Sequence, residues 1–220
     1  MGKLIVVDGL DGSGKSTQTE LLAEKLRVLG KKVKLISFPD YNEKSSELVK
    51  MYLNGEFSET ADGVNAYAAS TFYAVDRYAS YKKFWESNFL GDEIIIASRY
   101  VSSNILHQMP KLPKTEWGNF IHWLDDFEYN KLGLPKPDAV IYLDMPRDVA
   151  DSLILSRYNG DERKKDIHEN NIPYLKSCEQ SALYAAKTQN WIVIKCSDRS
   201  LALSIDEINK TLLDTVEKLI

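Results

Sequence analysis

Five short apolar runs punctuate the chain: Leu4 to Val7, Val33 to Ser37, Ile94 to Ala97, Ala139 to Leu143, and Trp191 to Ile194. Each is continuous rather than alternating with polar residues, and Val and Ile dominate, so the pattern predicts strands buried on both faces of a parallel sheet. Segments of helical period lie between them. From Thr17 to Leu29, residues Leu21, Leu22, Lys25, Leu26 and Leu29 follow i, i+3, i+4 spacing, and Gly30 is placed to end the helix. The stretch from Val64 to Trp85 has no Gly or Pro and reads as one long helix, with Tyr67, Phe72, Tyr73, Tyr78, Tyr81, Phe84 and Trp85 along it. Core or subunit packing is the ordinary use of such an aromatic stripe. Leu112 to Leu134, fenced by Pro110, Pro113 and Pro135, reads as a helical excursion between the third and fourth strands, and Asp206 to Leu219 as a terminal amphipathic helix. No repeat, low-complexity tract or Gly/Ser linker divides the chain, so one α/β domain over 1–220 is expected.

Composition narrows the class of partner. The 220 residues are 44% hydrophobic and 27% charged, with 28 Lys plus Arg against 32 Asp plus Glu and a net charge of -4. That is enough chain for a sizeable core, and no apolar run approaches the roughly 18 residues that span a bilayer. Mild acidity argues against coating nucleic acid through a global positive field, so phosphate chemistry must be local. The two cysteines, Cys178 and Cys196, have no C-x-x-C spacing and read as buried thiols in a reducing compartment. The opening MGKLIVVDG shows no cleavage-site pattern, and Val6 stands where a myristoylation signal needs Ser or Thr. A cytoplasmic protein is expected.

The most informative stretch follows the first strand. Gly9-Leu10-Asp11-Gly12-Ser13-Gly14-Lys15-Ser16-Thr17 fits G-x-x-x-x-G-K-[ST] at every fixed position, with an apolar strand before it and an amphipathic helix after it. Glycines at 9, 12 and 14 let successive N–H groups turn inward, and the helix start adds partial positive charge. Lys15 is placed for the β- and γ-phosphates and the Ser16 hydroxyl for Mg2+, so a nucleoside triphosphate with Mg2+ is the expected ligand. A guanine-specific switch should carry Asn-Lys-x-Asp, whereas Asn130-Lys131-Leu132-Gly133 lacks the Asp and precedes its strand. A small-molecule kinase needs instead a second anionic pocket, cations near the transferring phosphoryl group and a cover that excludes water.

With those parts in view, the chain resembles the thymidylate kinases, P-loop enzymes that phosphorylate dTMP with ATP. The resemblance rests on GLDGSGKSTQ, Phe38-Pro39-Asp40, Tyr73-Ala74-Val75-Asp76-Arg77, Ser98-Arg99-Tyr100, Tyr142-Leu143-Asp144-Met145-Pro146 and the basic residues from Arg157. It implies a three-layer P-loop fold with a five-stranded parallel sheet in the order 2-3-1-4-5. It also implies a dTMP region over about 38–108 and a lid over about 156–166. Donor contacts fall to Gly9, Asp11, Gly12, Ser13, Gly14, Lys15, Ser16 and Thr17. Acceptor contacts fall to Asp11 at the sugar, Phe38 and Pro39, Tyr73 stacking on the base, Arg77 at its edge, Arg99 at the acceptor phosphate, and Asn104 and Gln108 nearby. Lys15, Arg99 and a lid cation, Arg157 before Arg163, would be catalytic, because Gly12 stands where one subgroup has an arginine. A homodimer, with the aromatic helix as its contact, is also implied.

Two departures qualify the resemblance. Ser98 replaces the Asp that usually precedes Arg99, so either another acid such as Asp144 compensates or catalysis is weak. Tyr41 stands where many relatives carry an arginine, which places more of the acceptor phosphate on Arg99. A deoxynucleoside kinase, another monophosphate kinase or a nucleotide-binding protein of low activity are the alternatives.

Overall fold

The computed structural model describes residues 1–58, 60–157, 172–198 and 201–220. Five strands, β1 (Lys3–Asp8), β2 (Val33–Ser37), β3 (Ile94–Ser98), β4 (Ala139–Asp144) and β5 (Ile192–Lys195), form one sheet in the order β2-β3-β1-β4-β5. Every pairing in it is parallel. Continuous apolar character along β1 has a direct structural reason. Leu4 and Val6 pack with Ile95, Ala97, Trp85 and Phe120 on one face, while Ile5 and Val7 pack with Ile96, Ile141, Leu22 and Leu212 on the other. Burial of each such side chain contributes about 1.5–3 kcal/mol. The edge strands are less buried, and Val193 on β5 is 42% exposed.

Helices cover both faces: α1 (Lys15–Val28), α2 (Glu47–Leu53), α3 (Ala66–Ser80), α4 (Glu86–Leu90), α5 (Val101–His107), α6 (Trp117–Leu124), α7 (Arg147–Arg157), α8 (Ile172–Thr188) and α9 (Ile205–Glu217). α1 ends as its pattern predicts: Gly30 takes φ +79 and the Lys31 N–H donates to the Leu26 carbonyl at 3.0 Å, closing the last turn. The long aromatic helix is interrupted. α3 is capped by Asn65, passes through a π-helical turn at Tyr81–Trp85 and continues as α4. The excursion between β3 and β4 likewise holds α6 and then a π-helical turn at Asp125–Lys131, which carries Glu128 into the interior. A short antiparallel ladder, Ser197–Asp198 with Leu201–Ala202, precedes α9. Both cysteines are buried and free, and burial pushes each thiol up to about 12.

Candidate active site

The phosphate loop joins β1 to α1. Gly12 and Gly14 take φ +82 and +78, a region that L side chains rarely adopt, so the curl that turns the backbone N–H groups inward needs glycine there. Gly9 sits in a tight place, because a Cβ would lie 2.5 Å from the Ser13 Oγ and 3.1 Å from the Leu143 carbonyl. Lys15 Nζ is buried across the loop, donating to the Leu10 carbonyl at 3.1 Å and lying 3.5 Å from Asp11 Oδ1. Burial lowers the Lys15 ammonium to about 8, aided by Arg99 and opposed by Asp11 and Asp8. Ser16 and Thr17 are exposed at the start of α1, while the Ser13 hydroxyl is buried without a hydrogen-bond partner among the described residues. A curled backbone, a buried ammonium, an orphaned hydroxyl and the exposed Ser16 hydroxyl together fit a polyphosphate and its Mg2+.

An open cleft lies beside this cradle. Asp11 reaches it from the loop, Phe38 and Pro39 from the turn after β2, Tyr73 and Arg77 from α3, Arg99 from the end of β3, and Asn104 and Gln108 from α5 and its end. All eight residues nominated for the acceptor therefore face one space. Tyr41, Leu53, Tyr100, Ser103 and His107 complete the lining. The cleft sits at the carboxyl ends of the strands, where open α/β sheets bind ligands. Asp76 fixes the turn after β2 by accepting from the Asp40 N–H at 2.9 Å and the Ser45 hydroxyl at 2.6 Å. The Phe38–Pro39 peptide in that turn is cis.

Arg99 adopts φ +66, and its guanidinium is aimed at the mouth of the loop. Its Nη2 donates to Asp11 Oδ1 and its Nη1 lies 3.0 Å from His107 Nε2. Burial alone would raise the Asp11 carboxyl, but Arg99 first and then Lys15 outweigh it and hold the group well below the usual carboxylate range. Asp11 thus touches a cation of the cradle and a cation of the cleft at once.

Deeper in the cleft the polar groups are paired. Arg77, 1% exposed, donates Nε and Nη2 to the two oxygens of Glu128, each at 2.6 Å, and Nη1 to the Tyr100 carbonyl at 3.3 Å. Burial opposes the guanidinium charge, and Glu128 more than restores it. Asn104 Nδ2 donates to Glu128 Oε1 at 3.2 Å and to the Ser70 carbonyl at 3.4 Å. Both partners can only accept, so they take the amide nitrogen and leave the oxygen of this cleft-lining residue for another donor. Tyr52, edge-on to Tyr73 at 6.4 Å, donates to Gln108 Oε1 at 3.5 Å and receives the Lys111 ammonium at 2.7 Å.

Several of these residues escaped the sequence reading. Glu128 lies 51 positions from Arg77, and no local spacing links them. Asp8 is fully buried at the end of β1, accepting from Ser102 Oγ at 2.6 Å, Ser103 Oγ at 2.8 Å and the Gly9 N–H at 2.9 Å. An acid between an apolar strand and the first loop glycine was the available signal. His107 had none. Ser98 is buried, and its carbonyl accepts from the Phe38 N–H at 3.0 Å. Asp144 is half-buried, and burial raises its carboxyl against the pull of Lys195. Arg157 ends α7, but its side chain, Arg163 and the rest of the segment nominated as lid lie outside the described residues. Among the described residues no His/Cys/Asp/Glu cluster forms a metal site and no helix is long and apolar enough to cross a membrane.

Comparison with known proteins agrees with this geometry. The family model for thymidylate kinase matches residues 7–208. A thymidylate kinase of Mycobacterium tuberculosis is 31% identical over 168 residues, which is 76% of this chain and 77% of that one. A probable thymidylate kinase of Thermococcus onnurineus is 31% identical over 188 residues, 80% of this chain and 84% of that one. The fold is shared with the thymidylate kinase structure from Candida albicans, at a TM-score of 0.70 and 24% identity, covering 99% of this chain and 92% of that one. With the cradle, the cleft and a family match across most of its length, the chain belongs to the thymidylate kinase family.

Proposed function

We propose that the protein transfers the γ-phosphoryl group of ATP to the 5'-phosphate of dTMP, giving dTDP and ADP. The observation that carries this reading is the shared wall of the two sites: Asp11 pairs with Arg99 in the cleft and lies 3.5 Å from Lys15 in the cradle. A monophosphate in the cleft then meets the end of a triphosphate in the cradle. An acceptor phosphate oxygen forms the new bond to the γ-phosphorus while the bond to the β,γ-bridging oxygen breaks, and ADP carries that electron pair away. A phosphate acceptor needs little proton chemistry, so positioning and charge neutralisation supply most of the rate.

Each cleft group then has a task. Asn104 offers an amide oxygen to the imide N–H of thymine, and Arg77 offers its remaining N–H groups to a neighbouring carbonyl. Tyr73 supports the ring, and Arg99 leaves Asp11 for the acceptor phosphate as Asp11 turns to the sugar hydroxyl. Cytosine presents a lone pair where thymine presents that N–H, so it would leave the Asn104 oxygen facing an acceptor. Lys15 and the loop N–H groups hold the donor phosphates, and Ser16 would hold Mg2+. That ion would supply charge neutralisation at the donor phosphates.

A cation over the transferring group comes from outside the loop in this reading. A Cβ on Gly12 would lie 2.8 Å from the Ala150 carbonyl of α7, so the loop has no room for an arginine side chain there. Arg157 and Arg163 remain the nominated sources. We also propose a homodimer through α3, supported by the outward stripe of Tyr67, Val75 and Tyr78, which are 36%, 50% and 42% exposed. Sedimentation at the 25.0 kDa monomer mass would rule it out. Steady-state ADP release with dTMP, dUMP, dCMP and dGMP tests the activity. Stimulation by dTMP, with dCMP at least tenfold weaker, is expected, and stimulation by another nucleotide without dTMP would overturn the reading.

A further inference from the structure

The Arg99–His107 contact admits one protonation pattern. A guanidinium has N–H donors and no acceptor, so the 3.0 Å approach of Arg99 Nη1 to His107 Nε2 is a hydrogen bond only if Nε2 carries a lone pair. His107 is therefore neutral, with its proton on Nδ1, when Arg99 stands as it does here. The histidine is well anchored for this purpose. It is the last residue of α5, the carboxyl-terminal turn of that helix is tied into the core by buried Ile105 and Leu106, and its own carbonyl accepts from the Tyr174 hydroxyl of α8.

We infer that neutral His107 is a positioning residue that holds the Arg99 guanidinium toward the acceptor phosphate, and that protonation of His107 releases it. This deepens the proposed function and rests on the reading of the cleft as the monophosphate site. The argument has two parts. The Arg99 guanidinium stands at the end of a long flexible side chain, so its direction depends on what it touches. In the free protein those contacts are Asp11 on one side and His107 on the other. When a substrate sugar draws Asp11 away, His107 is the contact that remains to orient the fork.

Charge decides the response to pH. Among the described residues, the ionisable groups around His107 are Arg99 after β3, Asp11 and Lys15 on the loop and α1, Tyr174 and Cys178 on α8, and Tyr73 and Tyr41, which face Arg99. Arg99 and Lys15 oppose a second proton on the imidazole, whereas Asp11 favours it. A protonated His107 loses its lone pair, repels Arg99 and competes with it for Asp11. Histidine is the side chain whose ordinary charge change lies between about pH 5 and 8, so the test spans that range.

The test compares wild type, His107→Gln and His107→Phe in steady-state ADP release from pH 5.5 to 8.5, with KM for dTMP and for ATP measured separately. Dividing wild type by variant at each pH cancels the titration of the dTMP phosphate itself. Gln offers an oxygen acceptor that never titrates, and Phe offers none. At pH 8 the Phe variant should raise the dTMP KM about tenfold, the scale of one lost charge-assisted hydrogen bond, with ATP KM unmoved. The Gln variant should recover to within about threefold of wild type. At pH 5.5 wild type should fall behind the Gln variant by about tenfold. Identical pH profiles for wild type and the Gln variant would overturn the inference, as would tighter dTMP binding by wild type at low pH, which would make His107 a direct phosphate cation.

Nitrogen-15 NMR of the free protein supplies an arm that does not depend on the acceptor. It should find His107 Nε2 unprotonated at pH 8, and an Nε2-protonated ring would refute the contact. Absence of turnover with dTMP in wild type would sink the proposed function alone, leaving the NMR result to decide this one.

Discussion

Replacing Glu128 by Gln changes one oxygen of a fully buried side chain. Glu128 and Arg77 are 0% and 1% exposed, and both carboxylate oxygens are used, Oε2 by Arg77 Nε and Oε1 by Arg77 Nη2 and Asn104 Nδ2. An amide in that place must point an N–H2 donor at another donor and leaves the guanidinium charge buried without a counter-ion. Breaking a buried pair in this way costs about 3–5 kcal/mol, against about 5–15 kcal/mol of stability for a whole domain. For a chain of this length that lowers the melting temperature by about 6–20 °C. Urea unfolding followed by circular dichroism reads the loss, and the dTMP KM of the folded fraction should rise at least tenfold because the Asn104 amide is released. The double variant Arg77→Met/Glu128→Leu removes both charges and should recover most of the stability but none of the dTMP affinity. A Glu128→Gln protein within about 1 kcal/mol of wild type, with its dTMP KM unchanged, would refute the reasoning.

Three shorter predictions address the cradle. Lys15→Met should lower kcat at least about 10³-fold while the fold survives, since Lys15 contacts only the Leu10 carbonyl and Asp11 among the hydrogen bonds and ion pairs of the described residues; near-normal turnover would remove Lys15 from the donor site. Gly12→Ala should weaken ATP binding more than tenfold by calorimetry, because it combines φ +82 with a Cβ 2.8 Å from the Ala150 carbonyl; unchanged affinity would show that α7 yields easily. The Lys15 ammonium is depressed from 10.5 to about 8 in the free protein, so at pH 8 about half of it is neutral. Donor phosphates favour the charged form, and ATP binding at pH 8 should take up about half a proton, measured by calorimetry in buffers of differing ionisation enthalpy. Proton release would contradict the assignment. The same depression bears on stability: the folded state binds fewer protons than the unfolded chain between about pH 8 and 10.5, so the Lys15 contribution is unfavourable below that window and is relieved as pH rises through it.

What could be read without coordinates followed from the range of each signal. The strands announced themselves because a sheet covered on both faces demands apolar residues at every position, as Leu4 to Val7 show. The loop was legible because nine consecutive residues carry its geometry. The two-residue strands at Ser197–Asp198 and Leu201–Ala202 are too short for any period, and the π-helical turns after α3 and α6 leave no trace in a pattern of 3.6. The cleft was nominated by resemblance, and its pairing was not. Arg77 and Arg99 looked like isolated cations in the chain, yet Glu128 and Asp11, 51 and 88 positions away, hold them. Long-range ion pairs have no spacing rule, so they appear only when the fold brings distant segments together. The opposite holds for Asp8, whose place beside Gly9 was visible while its two serine partners on α5 were not.

The most direct test of the account is a structure with dTMP and a non-hydrolysable ATP analogue bound together. The account predicts the thymine N3–H on Asn104 Oδ1, the acceptor phosphate on Arg99 with His107 Nε2 still against the guanidinium, and the γ-phosphate on Lys15 in line with an acceptor oxygen. A thymine ring elsewhere than between Tyr73 and Arg77, or an acceptor phosphate that does not touch Arg99, would contradict it.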